Sequence, residues 1–225
     1  GMGAVYRGRD SVLDRDVVLR YRSIAALNKL GQLHPDRPVD RKVVESVLAA
    51  EILGHYRSYQ VMGTLARTLA DSSDPVRQGL HESMEKETER IFRLLKIIHP
   101  ERDMHSAYVG LRSSDPMVHD NAVEFLDSIL GPEMRARLLP LFDRDVKPEQ
   151  RVEAANKALG ASLGDREDAV AIMSLSDDPW LQSCAAFAIG EMRLTSFTPT
   201  LEKWTGAGDA LLRATALDAL DRLNQ

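Results

Sequence analysis

Apolar positions along this chain recur at steps of three and four, and four stretches share one register. Each opens on an Asp: Asp16, Asp115, Asp178 and Asp209. With that Asp counted as zero, the third position holds Leu19, Val118, Leu181 and Leu212. The seventh is small in every copy, as Ser23, Ala122, Ala185 and Ala216. The eighth holds Ile24, Val123, Ala186 and Leu217, the eleventh Leu27, Leu126, Ile189 and Leu220, and the fourteenth Leu30, Ile129, Met192 and Leu223. Such steps place the side chains on one face of a helix. Asp is a good N-cap, and Pro116 and Pro179 suit the first helical position, where a missing N–H costs no hydrogen bond. A small seventh residue lets a neighbouring helix come close, so Ala122, Ala185 and Ala216 are expected to be buried. The second position is apolar as well (Val18, Met117, Trp180, Leu211) and is expected to pack between repeats.

A fifth copy begins at Lys147-Pro148, with Ala154, Ala155 and Ala158 on its stripe. Starts at 115, 147, 178 and 209 are then 31 or 32 residues apart. That length holds a short helix, a turn and a second helix, which predicts first helices over 132–143, 166–175 and 199–204. Asp74-Pro75 opens a further helix whose later stripe departs from the pattern. In the first half Gly31 is expected to stop the first helix, with Pro35 and Pro38 holding a loop open. One long helix is expected over 40–70, with Val44, Leu48, Ile52, Tyr59, Met62, Leu65 and Leu69 on its stripe. Gly54 and Gly63 mark a bend or close packing within it. A second is expected over 75–99, on Val76, Leu80, Met84, Ile91, Leu95 and Ile98, and its charged middle over 85–90 reads as a solvated face. No run alternates as a strand would. The pattern predicts an all-α chain forming one domain over 1–225, irregular over 1–112 and regular, with repeats of about 31 residues, over 113–225.

Composition narrows the class. Aromatic residues are only 5% of the chain while 44% is hydrophobic, a mix suited to helices packing through Leu and Ala rather than to a β-sandwich. With 29 basic against 34 acidic residues, a formal charge of −5 and no long basic run, nucleic acid is not an expected partner. The single cysteine, Cys184, excludes an internal disulfide and fits a reducing, cytoplasmic setting; its Ala-rich surroundings read as packing. No apolar stretch is long enough to span a membrane. Gly1 ahead of Met2 reads as a tag scar, so the chain is expected to be a piece of something longer.

The Asp-Pro-x-Val and Asp-Pro-x-Leu starts, the small seventh residue and the Leu or Ile at the eleventh resemble the second helix of HEAT-like repeats. The resemblance covers 113–225 and one copy over 13–31. It implies an armadillo-type fold, an α-α superhelix of antiparallel helix pairs. It also implies a polar ladder between repeats, for which Asp16, Arg20, Asp209 and Arg213 are the candidates, although His119 and Gln182 depart from it. A further resemblance rests on Arg90-Ile91-Phe92-Arg93-Leu94-Leu95, His99-Pro100-Glu101-Arg102-Asp103, Ala107-Tyr108-Val109-Gly110-Leu111 and Ala122-Val123-Glu124-Phe125-Leu126-Asp127. These are similar to the soluble HEAT region that follows the membrane domain in bacterial transporter-like proteins related to nucleotide translocases. That would make the chain a cytoplasmic appendage, tethered to the inner membrane through another domain.

Catalytic patterns fail on context. Gly160-Ala161-Ser162-Leu163-Gly164 spells a nucleophile elbow, but an elbow needs a strand before the Ser, and residues 153–159 read as helix. Gly160 is then a helix C-cap. His81-Glu82-Ser83-Met84-Glu85 has Glu85 where a zinc-protease helix needs its second His. His99, Asp103 and His105 sit at a helix junction, where such residues serve as caps. No catalytic, cofactor-binding or metal-binding residue is assigned, and no cofactor is expected. The expected function is non-catalytic: a protein-binding or regulatory module whose partner is another protein or another domain of the same polypeptide. The alternative is a HEAT-like enzyme related to phycobilin lyases or DNA glycosylases. Candidate partner-binding residues are Phe187, whose counterparts Glu124 and Asp218 are polar, and Trp180, two turns earlier on nearly the same face.

Overall fold

The computed structural model describes residues 17–34, 36, 39–66 and 75–225. Among these, every regular element is helical: α1 (Val17–Leu33), α2 (Arg41–Ala66), α3 (Pro75–Ile98), α4 (Met104–Leu111), α5 (Pro116–Ile129), α6 (Pro132–Phe142), α7 (Pro148–Leu159), α8 (Arg166–Ser174), α9 (Pro179–Met192), α10 (Thr198–Trp204), preceded by a 3-10 turn at Thr195–Phe197, and α11 (Ala210–Leu223). None of these helices is long and apolar enough to cross a membrane. The repeat caps form as expected. Asp115 and Asp178 each accept from the backbone N–H two residues on, at 2.9 and 3.0 Å, and Asp209 accepts from Leu212 N at 2.9 Å. The caps at Asp16 and Asp74, with Leu69 and the loop prolines Pro35 and Pro38, lie outside the described residues.

The described residues divide into two compact units, one within 24–169 and the other made of 17–23 with 170–225. In the first, α2 and α3 bury their apolar stripes together: Val44, Leu48, Ile52, Val76, Leu80, Ile91 and Leu95 are all at most 2% exposed. Each such side chain contributes about 1.5–3 kcal/mol relative to exposure. The core continues through Met104 of α4, Leu126 of α5 and Leu138 of α6 to Ala155 of α7. In a solenoid each repeat touches only its neighbours; here α2 also packs along α7, far away in sequence. Gly63 permits that approach, because a Cβ there would sit 2.5 Å from Val152 Cγ2. Gly110 does the same for α4 and α5: its Cβ would meet Ala122 at 2.8 Å. Gly54, by contrast, faces open space.

In the second unit α9 lies against α11, with Ala185, Ala186, Ile189 and Ala216 fully buried. Gly190 lets the helices meet, since a Cβ on it would be 3.0 Å from Ala219 Cα. Ala122, Ala185 and Ala216 are thus buried as the seventh-position rule requires, whereas Ser23 is exposed.

Other expectations are corrected. Gly31 does not end α1, which runs to Leu33; glycine inside a helix costs only about 1 kcal/mol relative to Ala. At the second position Met117 is 74% and Leu211 50% exposed, so these two do not pack between repeats, whereas Trp180 is half-buried. Leu30, Val118, Leu217 and Ala158 also face outward, so the full stripe is wider than the contact each helix makes. Nor is there a ladder at Arg213, which donates to Ala207 O and Gly208 O in its own loop while Asp209 caps its own helix. The largest correction concerns the middle of α3. Arg90 is 5% exposed and bonds Glu51 of α2, and residues 87–89 are half-buried, so only Glu85 and Lys86 keep the expected solvated face while the rest forms a polar seam.

Candidate binding cleft

The seam arises because α2 and α3 run antiparallel with polar residues on matching rows. Arg90 Nε donates to Glu51 Oε2 at 2.9 Å. One turn along, His55 Nδ1 lies 2.9 Å from Glu87 Oε2, and Ser58 Oγ donates to Glu87 Oε1 at 2.8 Å. His55 is 3% exposed. A carboxylate that accepts from Nδ1 fixes the ring and leaves Nε2 as the open nitrogen; no described group bonds to it.

Tyr59 continues the row. Its ring meets His55 edge-on at 5.2 Å between centroids. Its hydroxyl lies 3.4 Å from Leu141 O, to which it donates, and accepts from Arg151 Nη1 at 3.3 Å. Burial pushes the phenol's pKa up, against the opposing pull of Arg151 and its hydrogen bond, so Tyr59 stays a neutral donor at physiological pH. Arg151 Nη2 donates to Asp143 O at 2.6 Å, and Arg151 Nε is buried without a partner. Beyond Tyr59, Gln60 Nε2 donates to Asn156 Oδ1 and to Ala161 O, at 2.7 and 2.6 Å.

Above these groups lies a cleft of about 870 Å³ walled by α2, α3 and α7. Tyr59, Met62, Met84 and Val152 supply apolar surface; Arg77, His81, Glu149 and Arg151 supply charge or hydrogen bonds. A smaller recess of about 180 Å³ shares Tyr59, His81 and Met84 and reaches His55 and Thr88. Neither Arg77 nor Arg151 has a carboxylate partner among the described residues. A volume of this size with few convergent polar groups is that of an ordinary ligand site.

The residues singled out by sequence pattern lie elsewhere. Phe187 is half-buried, with the Arg222 guanidinium 5.6 Å from its ring centroid. Arg222 is itself held by Asp218 and Glu191, which limits what Phe187 presents. Trp180 is half-buried too, and its Nε1 is buried without a hydrogen-bond partner. Ser162 is exposed in a loop; Gly160, with φ 68°, caps α7, and Gln60 ties down the next carbonyl. Asp103 caps α4 through Ser106, and those two hydrogen bonds hold its pKa low. His81 and His105 are exposed, and Glu85 pairs with Arg112 at 3.1 Å. Among the described residues no three His, Cys, Asp or Glu side chains form a group that could hold a metal ion. Cys184 is buried at 3%.

Sequence reasoning missed His55, Glu87 and Arg151. A signal existed: Glu51, His55 and Ser58 on α2, and Ser83, Glu87 and Arg90 on α3, keep steps of three and four beside the apolar stripes. Comparison with protein-family models, curated proteins and solved structures returned no match for this chain.

Proposed function

We propose that this chain is a non-catalytic binding module, and that its partner, another protein or another domain of the same polypeptide, seats a segment in the cleft between α2, α3 and α7. One observation carries the reading. The cleft, about 870 Å³, joins apolar surface to two guanidinium groups that no described carboxylate neutralises. Its walls are rigid helices, which suits recognition at low ordering cost.

The HEAT-like assignment belongs to the same proposal: α5 to α11 are degenerate helical hairpins, and α2 is the long helix onto which α7 folds. The buried small residues Ala122, Ala185 and Ala216 support it. The transporter-like stretches in α3, α4 and α5 would make the partner domain a membrane domain, with this module on its cytoplasmic side. The cleft is preferred to the α9 surface because Arg222 already covers part of Phe187.

Phage display of random linear peptides against the immobilised chain tests this. Clones that bind the wild type should be lost on Gln78→Trp, which places a large side chain at an exposed position in the cleft wall. An absence of enriched clones, or clones indifferent to Gln78→Trp, refutes the proposal.

A further inference from the structure

The broad cleft and the smaller recess share Tyr59, His81 and Met84, so they form one trough along α3 from Arg77 to Thr88. At about 1.5 Å of rise per helical residue this trough runs about 16 Å, the length of about five residues of extended chain. A single small acid would fill only one end.

The broad cleft's lining carries two guanidinium groups, Arg77 and Arg151, against one carboxylate, Glu149. Arg77 is exposed at the rim and Arg151 is half-buried deeper in, and neither has an ion-pair partner among the described residues. Glu149 is the opposing carboxylate on the same rim; Glu85, at the far end, is already paired with Arg112. Arg151 is held in place by its bonds to Tyr59 and Asp143 O, which presents a positioned guanidinium in the cleft wall to an incoming carboxylate. This positive spot stands on a chain whose formal charge is −5, so general electrostatic attraction does not account for it. A second, independent feature points the same way. His55, 97% buried by its 3% exposure, holds an unpartnered Nε2 on a ring that lines the recess. With Nδ1 hydrogen-bonded to Glu87, that nitrogen is ready to accept from a peptide N–H.

We propose that the trough binds an extended peptide segment with one acidic side chain flanked by apolar ones. The carboxylate meets Arg151 and Arg77, an apolar side chain covers Met62 and Met84, and a backbone N–H of the segment donates to His55 Nε2. This rests on the binding-module reading and adds the chemistry of the partner segment.

The test uses the full chain and three fluorescein-labelled pentapeptide pools, random except for Glu, Gln or Lys fixed at the centre. Anisotropy should rank the Glu pool about tenfold tighter than the Gln pool, and the Lys pool weakest. Arg77→Gln, at an exposed position with no described partner, should erase about fivefold of that preference without altering the melting temperature. Arg151→Gln should erase more. Equal binding of the Glu and Gln pools, or a preference surviving both substitutions, overturns the inference while leaving the module reading intact. Failure of every pool to bind overturns both. Displacement of the Glu pool by octanoate at a lower concentration than by acetylated Glu-centred peptide would assign the trough to a small lipid acid instead, and would also overturn it.

Discussion

Removing one member of the buried pair between α2 and α3 should cost far more than any surface ion pair. In Arg90→Met the guanidinium is lost, while Glu51, 5% exposed, stays in the seam without the cation that bonds it at 2.9 Å. Two unit charges about 4 Å apart attract by about 4 kcal/mol at an effective dielectric near 20. Breaking a buried pair by deleting one partner typically costs about 3–5 kcal/mol. For a domain with an ordinary stability of about 5–15 kcal/mol, that is a large share of the total. Urea unfolding followed by circular dichroism should show the midpoint falling by about 1 M or more, given slopes of about 1–3 kcal/mol per molar. The companion Glu51→Leu/Arg90→Met should recover most of the loss, because apolar replacement of both charges removes the desolvation cost with the attraction. A single-variant loss under about 1 kcal/mol, the scale of an exposed pair, would refute the reasoning. So would a double variant worse than the single.

Three further outcomes follow from the described contacts. Ala185→Leu should destabilise by about 1–3 kcal/mol, because Ala185 is 0% exposed in the α9–α11 contact; an unchanged melting temperature would show the seventh-position rule to be wrong. Ser162→Ala should leave stability within about 0.5 kcal/mol and peptide binding unaltered, and labelling of Ser162 by a fluorophosphonate in the folded chain would contradict that. Burial lowers the pKa of His99 below the usual 6.5, so the unfolded chain binds the proton more readily. Its contribution is therefore present above about pH 6.5 and is lost as pH falls from there through the folded pKa. His99→Gln should flatten that part of the stability profile, and a wild-type slope retained in the variant would show that another group is responsible.

Much of the architecture was legible because it is local. The rows Val44, Leu48, Ile52 and Val76, Leu80, Met84 name the buried faces of α2 and α3, and capping by Asp115, Asp178 and Asp209 places three helix starts. α2 runs unbroken through Gly54 and Gly63, each of which costs only about 1 kcal/mol relative to Ala. The pairing of α2 with α7 was not legible, because it joins residues about ninety apart and nothing at Gly63 or Val152 names the other. The polar seam was misread for a different reason. Charged residues default to solvent, and Arg90 becomes buried and Glu87 half-buried because Glu51 and His55 arrive opposite them. Tyr56 illustrates the same dependence: it is 4% exposed, its hydroxyl donates to Arg137 O of α6 at 2.7 Å, and only that partner makes burying it tolerable. The candidate cleft was invisible on both counts. It needs a non-local helix pair for its walls and unpaired guanidinium groups for its charge. The sequence-derived candidates, Phe187 and Trp180, came instead from an aromatic anomaly in a local pattern.

Methyl NMR distinguishes these two surfaces directly. The chain has eight methionines; Met62 and Met84 line the cleft, and Met192 ends α9, the helix of Phe187 and Trp180. With ¹³C-methyl methionine incorporated, titration with the Glu-centred peptide pool should shift the Met62 and Met84 signals and leave Met192 in place. Shifts at Met192 with Met62 and Met84 unmoved would contradict the cleft as the binding site.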